Sequence, residues 1–138
     1  MTMCLDTVGR KVTLKKDRKV WKVVVIDNGG RECGVCIGFP LSDNRLLHAE
    51  ESTILAWDTY VSRTAWQGTY KSGFHCFARK KDARNWGYGE DSEDSYEHIL
   101  PFIIPADTTI QHGTQSIWGC GIFRVIVTPV LINPRVTE

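Results

Sequence analysis

The run Val20-Trp21-Lys22-Val23-Val24-Val25-Ile26 constrains the fold most, because a dense block of β-branched and aromatic residues leads straight into Asp27-Asn28-Gly29-Gly30. Such side chains suit a pleated strand, and Asn and Gly accept the positive φ that a tight reversal requires. A strand, a turn and a returning strand over residues 31–38 are expected. The chain is therefore built on an antiparallel sheet.

Further elements follow from local pattern. Phe39-Pro40-Leu41-Ser42-Asp43-Asn44 reads as a loop. Residues 48–63 match neither a clean 3.6 nor a clean 2 period and fit helix and strand equally. Gly73-Phe74-His75-Cys76-Phe77-Ala78 alternates like a strand and passes into Lys80-Lys81-Asp82-Ala83-Arg84-Asn85-Trp86, a two-turn helix ended by Gly87. A helix that short must lean on the sheet, through Ala83 and Trp86. Residues 87–97 are polar, acidic and loop-like. Ile99-Leu100-Pro101-Phe102-Ile103-Ile104 is a strand that Pro101 pushes toward an edge or a bulge. Residues 107–115 form a short strand with its turn, and residues 123–132 a long final strand with Pro129 at an edge or bulge. The expected class is α+β: one domain over residues 1–138, a small mostly antiparallel β-sheet with one or two short helices packed on it.

Length and composition agree with one ordinary core, since 138 residues with 42% hydrophobic and 24% charged content are globular values. A net charge of +1 gives no overall attraction to nucleic acid or anionic membrane. Local patches do exist: Arg10, Lys11, Lys15, Lys16, Arg18, Lys19 and Lys22 near the start, and Glu90, Asp91, Glu93, Asp94 and Glu97 later. Such runs are ordinarily solvated surface. The N-terminus lacks the apolar run of a signal peptide, and the apolar stretch of residues 121–127 is broken by Arg124 and too short for a bilayer. A cytoplasmic protein with no membrane role is expected.

The five cysteines, an odd number, suggest reduced thiols. Cys33-Gly34-Val35-Cys36 has redox or zinc-ligand spacing, but a redox pair needs a helix N-terminus and the motif falls on a returning strand. Zinc would need His75 and Cys76 as further ligands. Ordinary small core residues remain the plain alternative. His48, His75, His98 and His112 form no metal motif, and no nucleophile, base and acid announce themselves. Neither a cofactor nor a catalytic residue is expected.

Tyr60, Arg63, Trp66, Tyr70, Lys71, Phe74, His75, Arg79, Lys80 and Arg84 interleave flat and cationic side chains within residues 60–84. Nucleotides want both kinds, since rings stack on bases and guanidinium or ammonium groups neutralise phosphate. Aromatics at strand spacing also serve as core, and Phe74 and Phe77 fit that use. Thr114 and Gln115 lie beside Gly113, which permits close backbone approach, although a plain β-turn accounts for them equally well. Arg124 interrupts an apolar strand and must face solvent, an acid or an anionic ligand.

Gly73-Phe74-His75-Cys76-Phe77 leading into Lys81-Asp82-Ala83, with Ile110-Gln111-His112-Gly113-Thr114-Gln115 further on, resembles a group of small phage-encoded proteins. Lys19-Val20-Trp21-Lys22-Val23 is similar in style. The functional type within that group is the Thoeris anti-defence sponge family. The resemblance implies a small α+β homo-oligomer in the cytoplasm of an infected bacterial host. Such a protein captures a cyclic nucleotide or cyclic ADP-ribose-type signal without cleaving it. It further implies stacking by Phe74 and phosphate contacts by Arg63 and Arg124. Two other classes stand beside it: a protein inhibitor of a bacterial defence complex, anti-CRISPR-like, using the acidic residues 90–97 or tryptophans as anchors, and a small nucleic-acid-binding module driven by the basic N-terminal segment. Near-zero net charge makes nucleic acid the poorer partner.

Overall fold

The computed structural model describes residues 5, 7–26, 32–34, 41, 44–49, 53–55, 69–71, 73–86, 97–117 and 121–137. In chain order these form β1 (Thr7–Thr13), β2 (Arg18–Ile26), β3 (Glu32–Gly34), β4 (Leu46–His48), β5 (Thr53–Leu55), β6 (Thr69–Lys71) and β7 (Phe74–Cys76). Then come α1 (Lys80–Trp86), β8 (Glu97–Ile104), β9 (Thr109–Ile117), β10 (Gly121–Thr128) and β11 (Val130–Ile132). One sheet has the order β1-β9-β10-β7, a second β3-β2-β8-β11-β4, and β5 pairs with β6. Every ladder is antiparallel. The expected class, a mostly antiparallel α+β fold with a short helix, is the observed one.

The β-rich run forms β2, and β3 returns beside it with Ile26 opposite Glu32. The turn that joins them lies outside the described residues. Along β2 the other neighbour is β8, in register from Arg18↔Ile104 to Val25↔Glu97. The two large sheets meet where the Trp21 and Phe77 backbones exchange a reciprocal pair of hydrogen bonds, each 2.8 Å. They also turn corners side by side. The Leu14 N–H donates to the Thr108 carbonyl and the Asp107 N–H to the Leu14 carbonyl, while the Asp17 carboxylate accepts the Ala106 N–H.

Two apolar clusters result. Between the sheets, Val20, Val24, Leu47, Phe102, Ile104 and Leu131 pack against Phe74, Cys76, Ile110 and Ile126. On the opposite face of the first sheet, Phe123, Val125 and Val127 meet Ala83 and Trp86 of α1, together with Phe77 and Val23. Alternation along β10 explains this division, because odd and even positions face opposite sides of the sheet. The helix leans on the sheet through Ala83 and Trp86 as its length required, and the Trp86 indole N–H donates to Gln115 Oε1 at 2.8 Å.

Several sequence expectations need correction. Pro101 is in an interior strand, opposite Trp21. Trp21 spends its N–H and C=O on Phe77, so Trp21 and Pro101 form a non-hydrogen-bonded pair and the proline nitrogen points away from β2. On that far side β11 reaches β8 in register only at Ile132↔Ile103, so no ladder donor is lost. Residues 123–132 are not one strand, because the chain leaves the first sheet at Pro129 and enters the second as β11. Gly113-Thr114-Gln115 is no turn but the middle of β9. Lys22 is buried rather than solvated, donating to the His75 carbonyl at 3.0 Å. Of residues 48–63, those described beyond β4 are Ala49, which lies outside any strand, and β5.

Gly73 shows why β7 begins as it does, since a Cβ there would stand 2.6 Å from the Thr128 carbonyl oxygen. That oxygen belongs to backbone and cannot swing aside. Gly73→Ala should therefore destabilise the fold by about 1–3 kcal/mol, as overpacking does. A lowered urea midpoint would report this, and an unchanged midpoint would contradict the close approach.

Candidate functional site

The upper part of the first sheet, on the face turned from α1, is not covered by the second sheet. An open cleft of about 830 Å³ lies there, lined by residues that include Arg10, Arg18, Arg79, His112, Thr114 and Arg124. β9 and β10 form its floor, with Arg124 directly across from Thr114 and Ile126 across from His112. Arg124 sits in an apolar strand because its position alternates outward, and it is exposed. Arg18 opens β2, and Arg79 and Asp82 stand at the start of α1.

Arg10 reaches the cleft through a β-bulge. The register runs Val8↔Gly113 and then Lys11↔Gln111, so Gly9 and Arg10 together face His112. Gln111 pins this irregularity, its Nε2 donating to the carbonyls of Gly9 and His112 at 2.8 Å each. Close packing of the two strands is part of the arrangement, with the Gly9 Cα so near that an added Cβ would be 3.1 Å from the His112 carbonyl oxygen.

Electrostatically the cleft is one-sided. Asp82 is the carboxylate among its lining residues, and Arg79 already holds it through Nε (3.1 Å) and Nη2 (3.3 Å). Arg10, Arg18 and Arg124 have no ion pair among the described residues. His112 registers the result. Partial burial first, then the charges of Arg18 and Arg10, hold its imidazole below its ordinary value. A concave surface with several guanidinium groups focuses positive potential. Each group can present a planar fork of donors to phosphate oxygens.

Of the residues expected from sequence, Arg79, Thr114 and Arg124 converge here. Phe74 and His75 do not. Phe74 is sealed between the sheets and His75 is buried, so neither ring can stack on a ligand. The sequence pattern could not separate a stacking ring from a core ring, and the pairing of β7 with β10 decides it. Gln115 is also buried, occupied by Trp86. Lys71 lines a smaller hollow of about 240 Å³ with Lys11 and Gln111, on the opposite face of the sheet. Arg84 is exposed on α1 and does not line the cleft. Arg63, Trp66, Cys36 and the acidic residues 90–96 lie outside the described residues. Arg10, Arg18 and His112 were missed as a set, because the β1–β9 register, about a hundred residues apart in sequence, brings Arg10 to His112, and the meeting of β2 with the first sheet brings Arg18 to both. Ile122, 73% exposed at the cleft, was missed as well.

Among the described residues no three metal-ligating side chains cluster. His75 and Cys76 are neighbours on a strand, and their side chains point to opposite faces. The Cys76 thiol is pushed up to about 11 by burial, with Lys22 acting the other way, so it is a poor thiolate. No protein-family model, curated protein or solved structure matches the chain in comparison.

Burial, reinforced by the Lys22 charge, depresses the His75 pKa from 6.5 to about 3, against the opposing effect of the Gly73 carbonyl. That carbonyl, 3.1 Å from Nδ1, can only accept, so Nδ1 carries the proton of the neutral ring. Between pH 6.5 and 3 the unfolded chain binds a proton at this position that the folded chain refuses. Stability supported by neutral His75 is thus complete above pH 6.5 and declines as pH falls. At pH 4.5 the loss should be about 2–3 kcal/mol. Urea unfolding at pH 7 and 4.5 should show His75→Gln to be less pH-sensitive than the parent by about that amount; equal sensitivity would contradict a neutral buried His75.

Proposed function

We propose that this protein binds a small nucleotide ligand by its phosphates in the arginine-lined cleft and retains it intact. In an infected bacterium such capture would withdraw a cyclic nucleotide or ADP-ribose-type immune signal, an anti-defence role that the sequence resemblance suggests. One observation carries the binding reading: four guanidinium groups border one open cleft whose lining carboxylate, Asp82, is already held by Arg79. Gathering like charges costs energy unless a counter-charge arrives. An anionic ligand is the natural counter-charge.

Phosphate geometry suits guanidinium forks, and the cleft volume of about 830 Å³ falls within the usual range for small-molecule sites. With Phe74 in the core, the described lining offers a base no Phe, Tyr or Trp ring; the His112 imidazole is its one aromatic group. Ile122 and the half-buried Ala78 are side chains that would supply aliphatic contact. Recognition should consequently depend more on phosphate charge than on base identity.

ADP-ribose and pyrophosphate should raise the melting temperature, and adenosine should not. At a hundredfold excess over Kd the added stability is about 2.7 kcal/mol, worth several degrees. Arg10→Gln and Arg124→Gln should each weaken binding roughly 10- to 100-fold, the value of a hydrogen bond to a charged group. Equal shifts with adenosine, or full binding by the double variant, would refute the reading. Ligand released by heat from protein purified out of cells with active nucleotide signalling should be chemically unaltered by mass spectrometry; altered ligand would refute retention.

A further inference from the structure

We propose that His112 is the proton-coupled member of the cleft: a phosphate ligand entering among Arg10, Arg18, Arg79 and Arg124 binds together with one proton, which His112 takes up. The inference rests on the anion-binding reading and adds to it a residue with a role of its own.

His112 lies on β9 within the cleft, and the groups that face it come from every neighbouring element: Arg10 from the bulge of β1, Arg18 from the start of β2, Arg79 and its partner Asp82 from the start of α1, and Arg124 from β10. Its direct cross-strand partner, Ile126, carries no charge, and Thr114 two residues along the same strand adds a hydroxyl. The surrounding charge is thus positive, with Asp82 already engaged by Arg79. An imidazolium ion is disfavoured there, first by partial burial and then by the charges of Arg18 and Arg10, and the ring's basicity is depressed accordingly.

A bound phosphate reverses the local field. Two negative charges placed among the arginines offset the part of the effect that comes from Arg18 and Arg10 and supply an acceptor for a second ring N–H. Linkage then requires that the ligand raise the proton affinity of His112 and that a proton raise the affinity for the ligand by the same factor. Binding should therefore tighten as pH falls, by up to about tenfold per pH unit in the interval between the free and the bound ring's pKa.

ADP-ribose is the suitable probe, because its pyrophosphate diester keeps a constant charge of about two over this range and any proton taken up belongs to the protein. Isothermal titration at pH 6, 7 and 8, in buffers of different ionisation enthalpy, counts the protons. Uptake of between a measurable fraction and one proton is expected, with Kd falling as pH is lowered. The His112 Cε1–H resonance should show its midpoint moving upward on adding ADP-ribose. His112→Gln should abolish the uptake and flatten the pH dependence of Kd, whereas His75→Gln, altered on the other face of the sheet, should leave both in place. Binding without proton uptake, or unchanged uptake in His112→Gln, would overturn the coupling while leaving the anion site standing. Failure of both ADP-ribose and pyrophosphate to bind at any of these pH values would overturn the anion site and the coupling with it.

Discussion

Trp21 and Phe77 hold one another by two short backbone hydrogen bonds, and that pair joins the two large sheets. Their side chains belong to the cluster under α1, so the junction is also packed. Position along the chain then sets the cleft. Arg18 lies three residues before Trp21 and Arg79 two after Phe77, so fixing the junction fixes both against the floor made by β9 and β10.

The first sheet serves two purposes because its faces are covered unequally. One face carries Phe123, Val125 and Val127 and is closed by α1. The other is closed by the second sheet only where Ile110, Ile126, Phe74 and Cys76 lie. Beyond that boundary the side chains change from apolar to Arg124, Thr114 and His112, and the surface opens. The bulge at Gly9 and Arg10 adds a third wall, beside those from β2 and the start of α1. Counted from Val8 by strict alternation, Arg10 would face the helix side; the extra residue turns it into the cleft.

Sequence carried the local elements well. The strand expected over residues 20–26 is found, with its return described over residues 32–34 of the expected 31–38, and residues 73–86 gave both the strand and the helix, including the two side chains on which the helix leans. Long-range register was not legible. Pro101 looked like an edge residue because nothing nearby says that Trp21 will spend its hydrogen bonds elsewhere. Phe74 looked like a stacking ring because its place between the sheets depends on β10. Arg124 could be singled out, as a charge in an apolar strand, but its companions Arg10, Arg18 and His112 come from segments that only folding unites. The Gly73-Phe74-His75 segment is occupied by packing: a glycine for clearance, a core ring and a buried neutral imidazole.

The central claim is that the arginine-lined face of the first sheet is where an anion sits. A titration of the 15N-labelled protein with pyrophosphate, followed by amide chemical shifts, tests it most directly. The account predicts saturable shifts at Gly113, Thr114, Arg124, Ala78 and Arg79, with little change at Lys11, Lys71 and Thr109 on the opposite face. Shifts confined to that opposite face, or none that saturate, would contradict it.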